Sequence, residues 1–206
     1  FPGHEHTEIV DGVPEGWEEI ASSEVIEIMS GGTPKTSVDE YWNGEVPFFT
    51  PKDSTSTPFV SKTEKHISEA GLRNSSTDLF PKGTIFITAR GTVGKLNLNR
   101  VPMAMNQSCY ALKGKDGLSN QFLYLALRSA IEHFEKQATG AVFDAIIMST
   151  FNRIPLAIPT KDLVRSFGEL IAPVFRQVDL LIRENERLQK ARDILLPRLM
   201  SGEIKV

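Results

Sequence analysis

The spacing of apolar positions along the chain changes at Lys161. Before that residue, short apolar runs alternate with turns rich in Ser, Thr, Asn and Gly, which is typical of β-strands. Residues 121–137 have helical spacing with Ser119 or Asn120 as the N-cap, and residues 153–158 form one more predicted strand. From Lys161 onward the apolar residues recur at alternating intervals of three and four. The pattern predicts a globular mixed α/β (α+β) domain followed by a long C-terminal helix.

The predicted C-terminal helix carries a heptad seam that suits a partner helix. The seam consists of Val164, Phe167, Ile171, Val174, Val178, Leu181, Asn185, Leu188 and Leu195. Because Pro197 disfavours a helical conformation of the residue before it, we expect the helix to end near Leu196. About 36 helical residues would measure about 54 Å. This length favours a helix that protrudes towards a partner over the alternative that it packs back on its own domain.

The stretch ITARGTVGKLNLN at residues 87–99 contains a glycine turn between two apolar segments. A nucleotide-binding phosphate loop needs four residues between its glycines, a Ser or Thr after the lysine, and a following helix. Here two residues separate Gly91 from Gly94, Leu96 follows Lys95, and both flanks resemble strands. The stretch therefore predicts a β-hairpin and disfavours an ATP site.

Composition divides the chain into three segments: an acidic linker at 1–16, a domain at 17–160 and the helix at 161–206. The net charge of −3 combines −8 in the first 30 residues with +5 in the remainder. A local basic patch for nucleic acid is compatible with this balance. No apolar run approaches the ~20 residues of a membrane span, and a single cysteine excludes an internal disulfide. We therefore expect a cytoplasmic protein without a membrane partner.

Catalytic signatures are missing from the sequence. His4 and His6 with one distant cysteine make a poor metal-ligand set. The Glu-x-Lys triplet at 203–205 lies in the last four residues, where no core can position it for a metal-dependent nuclease. No nucleophile elbow and no dinucleotide fingerprint is present. We expect a non-catalytic chain that holds no metal and no cofactor of its own.

Hydroxyl-rich and amide-rich loops with interspersed Lys and Arg recur through the first domain. Such side chains bond to phosphate oxygens and base edges, although solvated turns are an alternative for any single loop. The predicted DNA-binding residues are Lys35, Thr36, Lys52, Ser54, Thr55, Arg90, Thr92, Lys95, Asn106 and Gln107.

Eight short motifs occur in one order along the chain. They are PEGWE at 14–18, SGGTP at 30–34, YWNGEVP at 41–47, LFPKG at 79–83, GTVGK at 91–95, NQSC at 106–109, GAVFDAI at 140–146 and LLPRLMSGEI at 195–204. In this order they resemble the DNA-specificity subunit of type I restriction–modification enzymes. The opening FPGHE resembles the segment that joins the first helix of that subunit to its second recognition domain. The chain is therefore similar to the C-terminal half of such a subunit, while a natural half-subunit that forms a homodimer remains an alternative.

The resemblance implies a target-recognition domain whose long helix forms an antiparallel coiled coil with the helix of the other half or of a second copy. It implies double-stranded DNA as a partner, with the chain reading one half of a bipartite target. It further implies that base-reading residues lie between the shared motifs, at 54–57 or 73–77. It also implies a methyltransferase (modification) subunit that uses S-adenosylmethionine and a restriction subunit that uses ATP and Mg²⁺. A structural decoy that blocks assembly without reading DNA, and an unrecognised enzyme, remain competing hypotheses.

Overall fold

A computed structural model describes residues 6–10, 12–137 and 145–204. The chain forms two compact units, residues 1–165 and 166–206. Most of the GAVFDAI motif, the opening FPGHE and the histidine at position 4 lie outside the described residues.

The first unit is built mainly from short strands. The strands are β1 (Ile9–Val10), β2 (Val13–Pro14), β3 (Glu18–Ala21), β4 (Ile26–Ser30), β5 (Trp42–Phe49), β6 (Phe59–Val60), β7 (Lys65–Ile67), β8 (Ile85–Thr88), β9 (Leu96–Asn99), β10 (Ala104–Met105), β11 (Cys109–Gly114) and β12 (Pro155–Ile158). The helices are α1 (Ser22–Val25), α2 (Glu69–Arg73), α3 (Asn120–Gln137) and α4 (Lys161–Met200). Short 3-10 helices occupy Asp39–Tyr41, Pro51–Asp53 and Met148–Thr150.

A five-stranded sheet forms the centre of the first unit, in the order β4-β11-β8-β9-β6. Neighbouring strands are antiparallel except β6, which runs parallel to β9. Every residue of β8 is buried, as a continuous apolar run from Ile85 to Ile87 predicts for a strand covered on both faces. Burial of a Phe86-sized side chain contributes about 1.5–3 kcal/mol to folding.

A second sheet, in the order β10-β5-β7, packs into the same core. Successive residues of a strand point to opposite faces, so Phe48 and Phe49 of β5 belong to different apolar clusters. Phe49 joins the cluster around Phe86, with the two rings 5.0 Å apart, whereas Phe48 packs with Trp42 and Ile67. The C-terminal end of β5 is thus buried on both faces at Phe48 and Phe49, and the loop that follows Phe49 begins at a fixed point in the core.

The hairpin predicted around the glycine turn is confirmed. β8 and β9 are antiparallel, with Ile85 opposite Leu98, and Gly91 and Gly94 have positive φ of 81° and 84°. The β9 strand differs from a half-exposed strand, because both of its asparagines are buried. Asn99 bonds within the sheet region to Thr84 N at 2.7 Å and Phe80 O at 3.2 Å. The side chain of the other asparagine, Asn97, forms hydrogen bonds to the loop at residues 54–57.

The helix and strand that close the first unit are also present. Ser119 is the N-cap of α3, because its Oγ accepts the Phe122 N–H at 3.2 Å. The strand expected at 153–158 begins two residues later, as β12, and pairs antiparallel with β3. The proline that opens β12 has no N–H to donate, which suits the first residue of a strand.

The end expected for the C-terminal helix near Leu196 is wrong. α4 has 40 residues, a length of about 60 Å, and continues through Pro173 and Pro197 to Met200. Proline removes only one N–H donor, and the turn beyond Pro197 is closed by its own bonds, including Ser201 N to Pro197 O at 2.9 Å. The chain leaves the helix at Gly202, whose φ of 75° is typical of a helix C-cap.

Candidate nucleic-acid interface

Loops from four parts of the chain meet in one open cleft beside the end of β8. This loop cleft has a volume of about 390 Å³ and is lined by Thr50, Pro51, Lys52, Glu64, Lys65, Arg90, Gly91, Asn106 and Ser108. Lys52, Lys65 and Arg90 have exposed side chains. Three cationic side chains and one carboxylate give the cleft wall a formal charge of +2. The cleft therefore attracts anions, and its amide and hydroxyl groups can bond to them.

The first wall is the Pro51–Asp53 3-10 helix, which Asp53 holds in place. Asp53 Oδ2 accepts hydrogen bonds from Thr50 N at 2.8 Å and Thr50 Oγ1 at 2.7 Å. The other carboxylate oxygen, Oδ1, accepts from Glu64 N at 2.7 Å. One aspartate thus joins two walls of the cleft, and Lys52 projects from a turn that is bonded at both ends.

The second wall carries Lys65 at the start of β7. Lys65 Nζ lies 5.7 Å from the centre of the Trp42 ring, a cation–π distance. The Lys65 carbonyl accepts a bond from Thr63 Oγ1 at 2.7 Å. The same Trp42 donates its ring N–H to Lys35 O at 3.3 Å, which ties the loop of Lys35 and Thr36 to this wall. The side chains of both of those residues are exposed.

The third wall is the Asn106 loop, and it packs closely on Gly31, the first glycine of the SGGTP motif. A Cβ atom on Gly31 would come within 2.2 Å of Asn106 O, so this approach requires glycine. Thr33 Oγ1 donates a hydrogen bond to Gln107 Oε1. Asn106 Oδ1 accepts from Ser108 N at 3.1 Å, which leaves the amide nitrogen of Asn106 available at the cleft.

The fourth wall comes from the β8–β9 hairpin. Ala89 N bonds to Ser108 O at 2.8 Å, so Arg90 leaves the sheet at a fixed point next to the Asn106 loop. Thr88 Oγ1 donates to Thr92 O and accepts from Lys95 N at 3.0 Å. Thr92 and Lys95 are exposed on the hairpin but do not line the cleft.

The side chains of Ser54 and Thr55 form hydrogen bonds to other residues of this chain. Ser54 Oγ donates to Asn97 Oδ1 at 2.7 Å, and the Thr55 hydroxyl, which has one proton, lies 3.0 Å from both Thr57 O and Phe59 O and donates to one of them. Asn97 Nδ2 donates to Thr57 O at 2.8 Å. These bonds attach residues 54–57 to the buried face of β9. The hydroxyl groups of this segment stabilise the loop, and whether they also contact DNA stays a prediction.

The structure therefore brings together Lys52, Arg90 and Asn106 of the predicted set, with Gln107 and Lys35 on adjoining loops. It adds Lys65 and Glu64, which the sequence analysis missed. Neither residue comes directly after a glycine or proline that would indicate a turn, and Lys65 is the first residue of a strand. The pairing of β5 with β7, which places Phe48 opposite Lys65, could not be predicted from local pattern.

A second cleft of about 740 Å³ lies at the opposite end of the five-stranded sheet. Lys82, Lys113 and Lys115 line it together with Glu27 and Asp116. Lys115 Nζ donates to Ser23 O at 3.1 Å and Glu24 O at 3.2 Å. Two of the five charges are acidic and one lysine is bonded to the backbone, so this cleft has a weaker positive charge than the loop cleft.

Candidate groups for catalysis are few in the described parts of the chain. Within them, no group of three His, Cys, Asp or Glu residues could hold a metal ion. Burial, with a smaller contribution from the Asp53 carboxylate, raises the pKa of Cys109 to about 12. The thiol is therefore protonated at neutral pH and unsuited to nucleophilic attack. None of the described helices is long and apolar enough to cross a membrane.

Helix α4 presents much of its predicted seam to solvent. Val164 is buried, and Phe167, Ile171 and Val178 are half-buried. Val174, Leu181, Leu188 and Leu195 are each at least 50% exposed, and Asn185 is exposed too. Exposed ion pairs within the helix, such as Arg187 with Glu184 at 2.8 Å, are worth at most about 1 kcal/mol each at a surface. The apolar stripe from 174 to 195 is a surface that a partner helix could cover.

Residues 14–191 match the family described as the type I restriction modification DNA specificity domain. The chain belongs to this family. Within it, the chain is 32% identical to the HindI specificity subunit of Haemophilus influenzae over 195 residues, which are 93% of this chain and 42% of that protein. It is 26% identical to the MjaIX specificity subunit of Methanocaldococcus jannaschii, over 86% of this chain and 42% of that protein. The family resemblance seen in the eight motifs is confirmed.

Solved structures of specificity subunits share the fold. The S subunit of M. genitalium superposes with a TM-score of 0.67 at 18% identity, over 90% of this chain and 46% of that one. The HsdS subunit from Thermoanaerobacter tengcongensis gives a TM-score of 0.58 at 20% identity, over 99% and 48%. The mixed domain followed by a long helix is thus the fold of specificity subunits. The chain spans less than half the length of the curated relatives it matches.

Proposed function

We propose that this chain reads one half of a bipartite DNA target for a type I restriction–modification complex. The observation that carries the proposal is the loop cleft, where Lys52, Lys65 and Arg90 surround Asn106 in a member of a DNA-specificity family. Cations bind backbone phosphates, while Arg and Asn can make paired bonds to guanine and adenine. One cleft therefore contains both the groups for affinity and the groups for sequence discrimination.

In this proposal the chain supplies no catalysis. A methyltransferase subunit would use S-adenosylmethionine, and a restriction subunit would use ATP and Mg²⁺, all within the cytoplasm. Helix α4 would connect the recognition domain to the rest of the assembly by pairing antiparallel with a helix from the other half of a specificity subunit or from a second copy. The exposed side chains of Val174, Leu181 and Leu188 support this pairing, because they offer one apolar stripe at heptad spacing.

The test uses the chain assembled with its methyltransferase subunit, after a methylome of cells carrying the intact system has named the target. Binding and methylation are measured on the target and on single-base variants for Lys52→Ala, Lys95→Ala and Arg90→Ala. Lys113→Ala is the matched control, because it removes an exposed lysine from the second cleft.

We expect the two lysine variants to weaken binding to all sequences alike and to lower the salt slope by about one. Arg90→Ala should relax specificity at one base pair, at a cost of about 1–3 kcal/mol. If Lys52→Ala and Arg90→Ala, the two variants whose residues line the loop cleft, both match the wild type, the loop cleft is not the DNA interface. If the assembly forms but selects no DNA sequence in a gel shift, the chain is instead a decoy that occupies the methyltransferase.

A further inference from the structure

Glu64 is the acidic side chain among the residues that line the loop cleft. It is exposed, and Lys52, Lys65 and Arg90 line the same cleft. A carboxylate in this position repels DNA phosphates and cancels part of the attraction of the three cations. Attraction to the DNA backbone therefore does not explain why a glutamate occupies position 64.

The backbone at Glu64 is unusually well fixed for a loop residue. Its N–H is bonded to Asp53 Oδ1 at 2.7 Å, and Asp53 is itself bonded to the Thr50 turn. On its amino-terminal side, Thr63 Oγ1 accepts from Phe48 N at 3.1 Å and donates to Lys65 O at 2.7 Å. Residues 63–65 are therefore attached both to the central strand β5 and to the Lys52 turn. A side chain on such a support has the defined position that base recognition requires.

The chemistry of base edges indicates what the carboxylate would bind. In the major groove, the cytosine N4 amino group is a donor that Glu and Asp accept from. Adenine also carries an amino donor, but its N7 acceptor lies beside it and would repel a carboxylate. Guanine and thymine offer acceptors at the corresponding positions. A carboxylate therefore selects cytosine over the other three bases.

We propose that Glu64 is a specificity-determining residue that accepts a hydrogen bond from the N4 amino group of a target cytosine. The inference rests on the proposed function, because it requires that the loop cleft binds duplex DNA. Arg90 in the same cleft can bond to guanine O6 and N7, so the two side chains together favour a G·C-containing half-site. Glu64 lowers affinity for all DNA and raises the discrimination between sequences.

The experiment selects DNA with the chain assembled with its methyltransferase subunit, from a duplex pool whose central segment is randomised. Bound duplexes of the wild type, Glu64→Gln, Glu64→Ala and Glu45→Gln are sequenced and compared. Glu45 is the matched control, because it is an exposed glutamate on β5 that does not line the cleft. Thermal unfolding of each variant checks that the fold is retained.

We expect Glu64→Gln to exchange a preference for cytosine for one for adenine at a single position, because Gln pairs with adenine N6 and N7. In Glu64→Ala, the preference for cytosine over the other bases at that position should fall by about 5- to 150-fold, and no other base should become preferred. Glu45→Gln should select the wild-type motif. The proposal is overturned if both Glu64 variants select an unchanged motif with uniformly higher affinity. A wild type that selects no motif overturns the proposed function itself, which is a distinguishable result.

Discussion

Asn97→Asp is expected to destabilise the recognition domain strongly, although it exchanges only an amide for a carboxylate. Asn97 is fully buried in β9. Its Oδ1 accepts from Ser54 Oγ at 2.7 Å and Thr55 N at 3.3 Å, and an aspartate would keep these bonds. Its Nδ2 faces Thr57 O at 2.8 Å, Thr55 Oγ1 at 3.0 Å and Thr55 O at 3.2 Å. The substitution turns this donor into a second charged acceptor opposite those oxygens.

The magnitude follows from the donors that are lost. An amide group has two protons, so at most two of the three acceptors are satisfied at once. Two lost bonds cost about 1 kcal/mol each, and the unsatisfied carboxylate oxygen that replaces the amide nitrogen at this buried position adds about 1–3 kcal/mol. We expect a loss of about 3–5 kcal/mol at pH 7. For a protein of this size that corresponds to a fall in Tm of about 6–20 °C.

The loss should depend on pH. Burial opposite carbonyl oxygens raises the folded-state pKa of the carboxyl group introduced at position 97 above the unfolded value of about 3.9. A group with a raised folded pKa contributes its stability below the unfolded pKa and loses it as pH rises through the folded one. The deficit relative to wild type should therefore be smallest near pH 4 and largest at neutral pH, where the carboxylate is charged.

Thermal unfolding followed by circular dichroism between pH 4 and pH 8 measures both effects. Asn152→Asp is the control, since it adds the same charge at an exposed position and should change stability by no more than about 0.5 kcal/mol. An Asn97→Asp protein with the Tm and pH profile of the control would refute the reasoning. In that event the bonds between β9 and residues 54–57 would not form in solution, and Ser54 and Thr55 would be available to DNA.

Three further predictions concern α4 and the buried thiol. The double variant Val178→Glu, Leu181→Glu should no longer pair through α4 in light scattering, while thermal unfolding of its recognition domain should be unchanged. The control variant Gln177→Glu should pair normally. A wild-type chain that never pairs would contradict the predicted helix pairing. Asn185→Leu should raise the Tm of the paired form and permit mixed registers, because a polar seam residue fixes register at a cost in stability; an unchanged or lower Tm argues against a buried seam position. Cys109, with its pKa raised to about 12, should resist iodoacetamide at mildly alkaline pH until guanidinium unfolds the protein; rapid labelling of the native protein would contradict its burial.

The local pattern of apolar, glycine and capping residues was sufficient to predict several secondary-structure elements of this protein. The β8–β9 hairpin depends on two glycines that can adopt positive φ between two apolar segments, and both conditions are visible in thirteen consecutive residues. The helix α3 depends on its periodicity and the Ser119 cap, which are equally local. The predicted end of α4 was wrong, because the effect of proline on the residue before it is local, whereas the hydrogen bonds that continue the helix beyond Pro197 belong to the following turn.

The family was also evident from the sequence, because eight short motifs that resemble the family occur in one order along the chain. The predicted DNA-binding set was only partly assembled by the fold. Local composition selected every polar turn, and so it could not separate Arg90, which lines the cleft, from Lys95, which does not. Nor could it show that Thr55 bonds to its own loop.

Sequence by itself determined the strand-rich domain, the hairpin, the long amphipathic helix and the family, since each depends on neighbours in the chain or on motif order. Tertiary structure alone decided the site. Lys52, Lys65, Arg90 and Asn106 come from four separate segments that meet only because β5 pairs with β7 and β10, while β8 pairs with β11. Strand pairing joins residues far apart in sequence, and the register of β5 is fixed because Phe48 and Phe49 each fill a different apolar cluster. The position of Glu64 among those cations is a consequence of that packing, which no local pattern encodes.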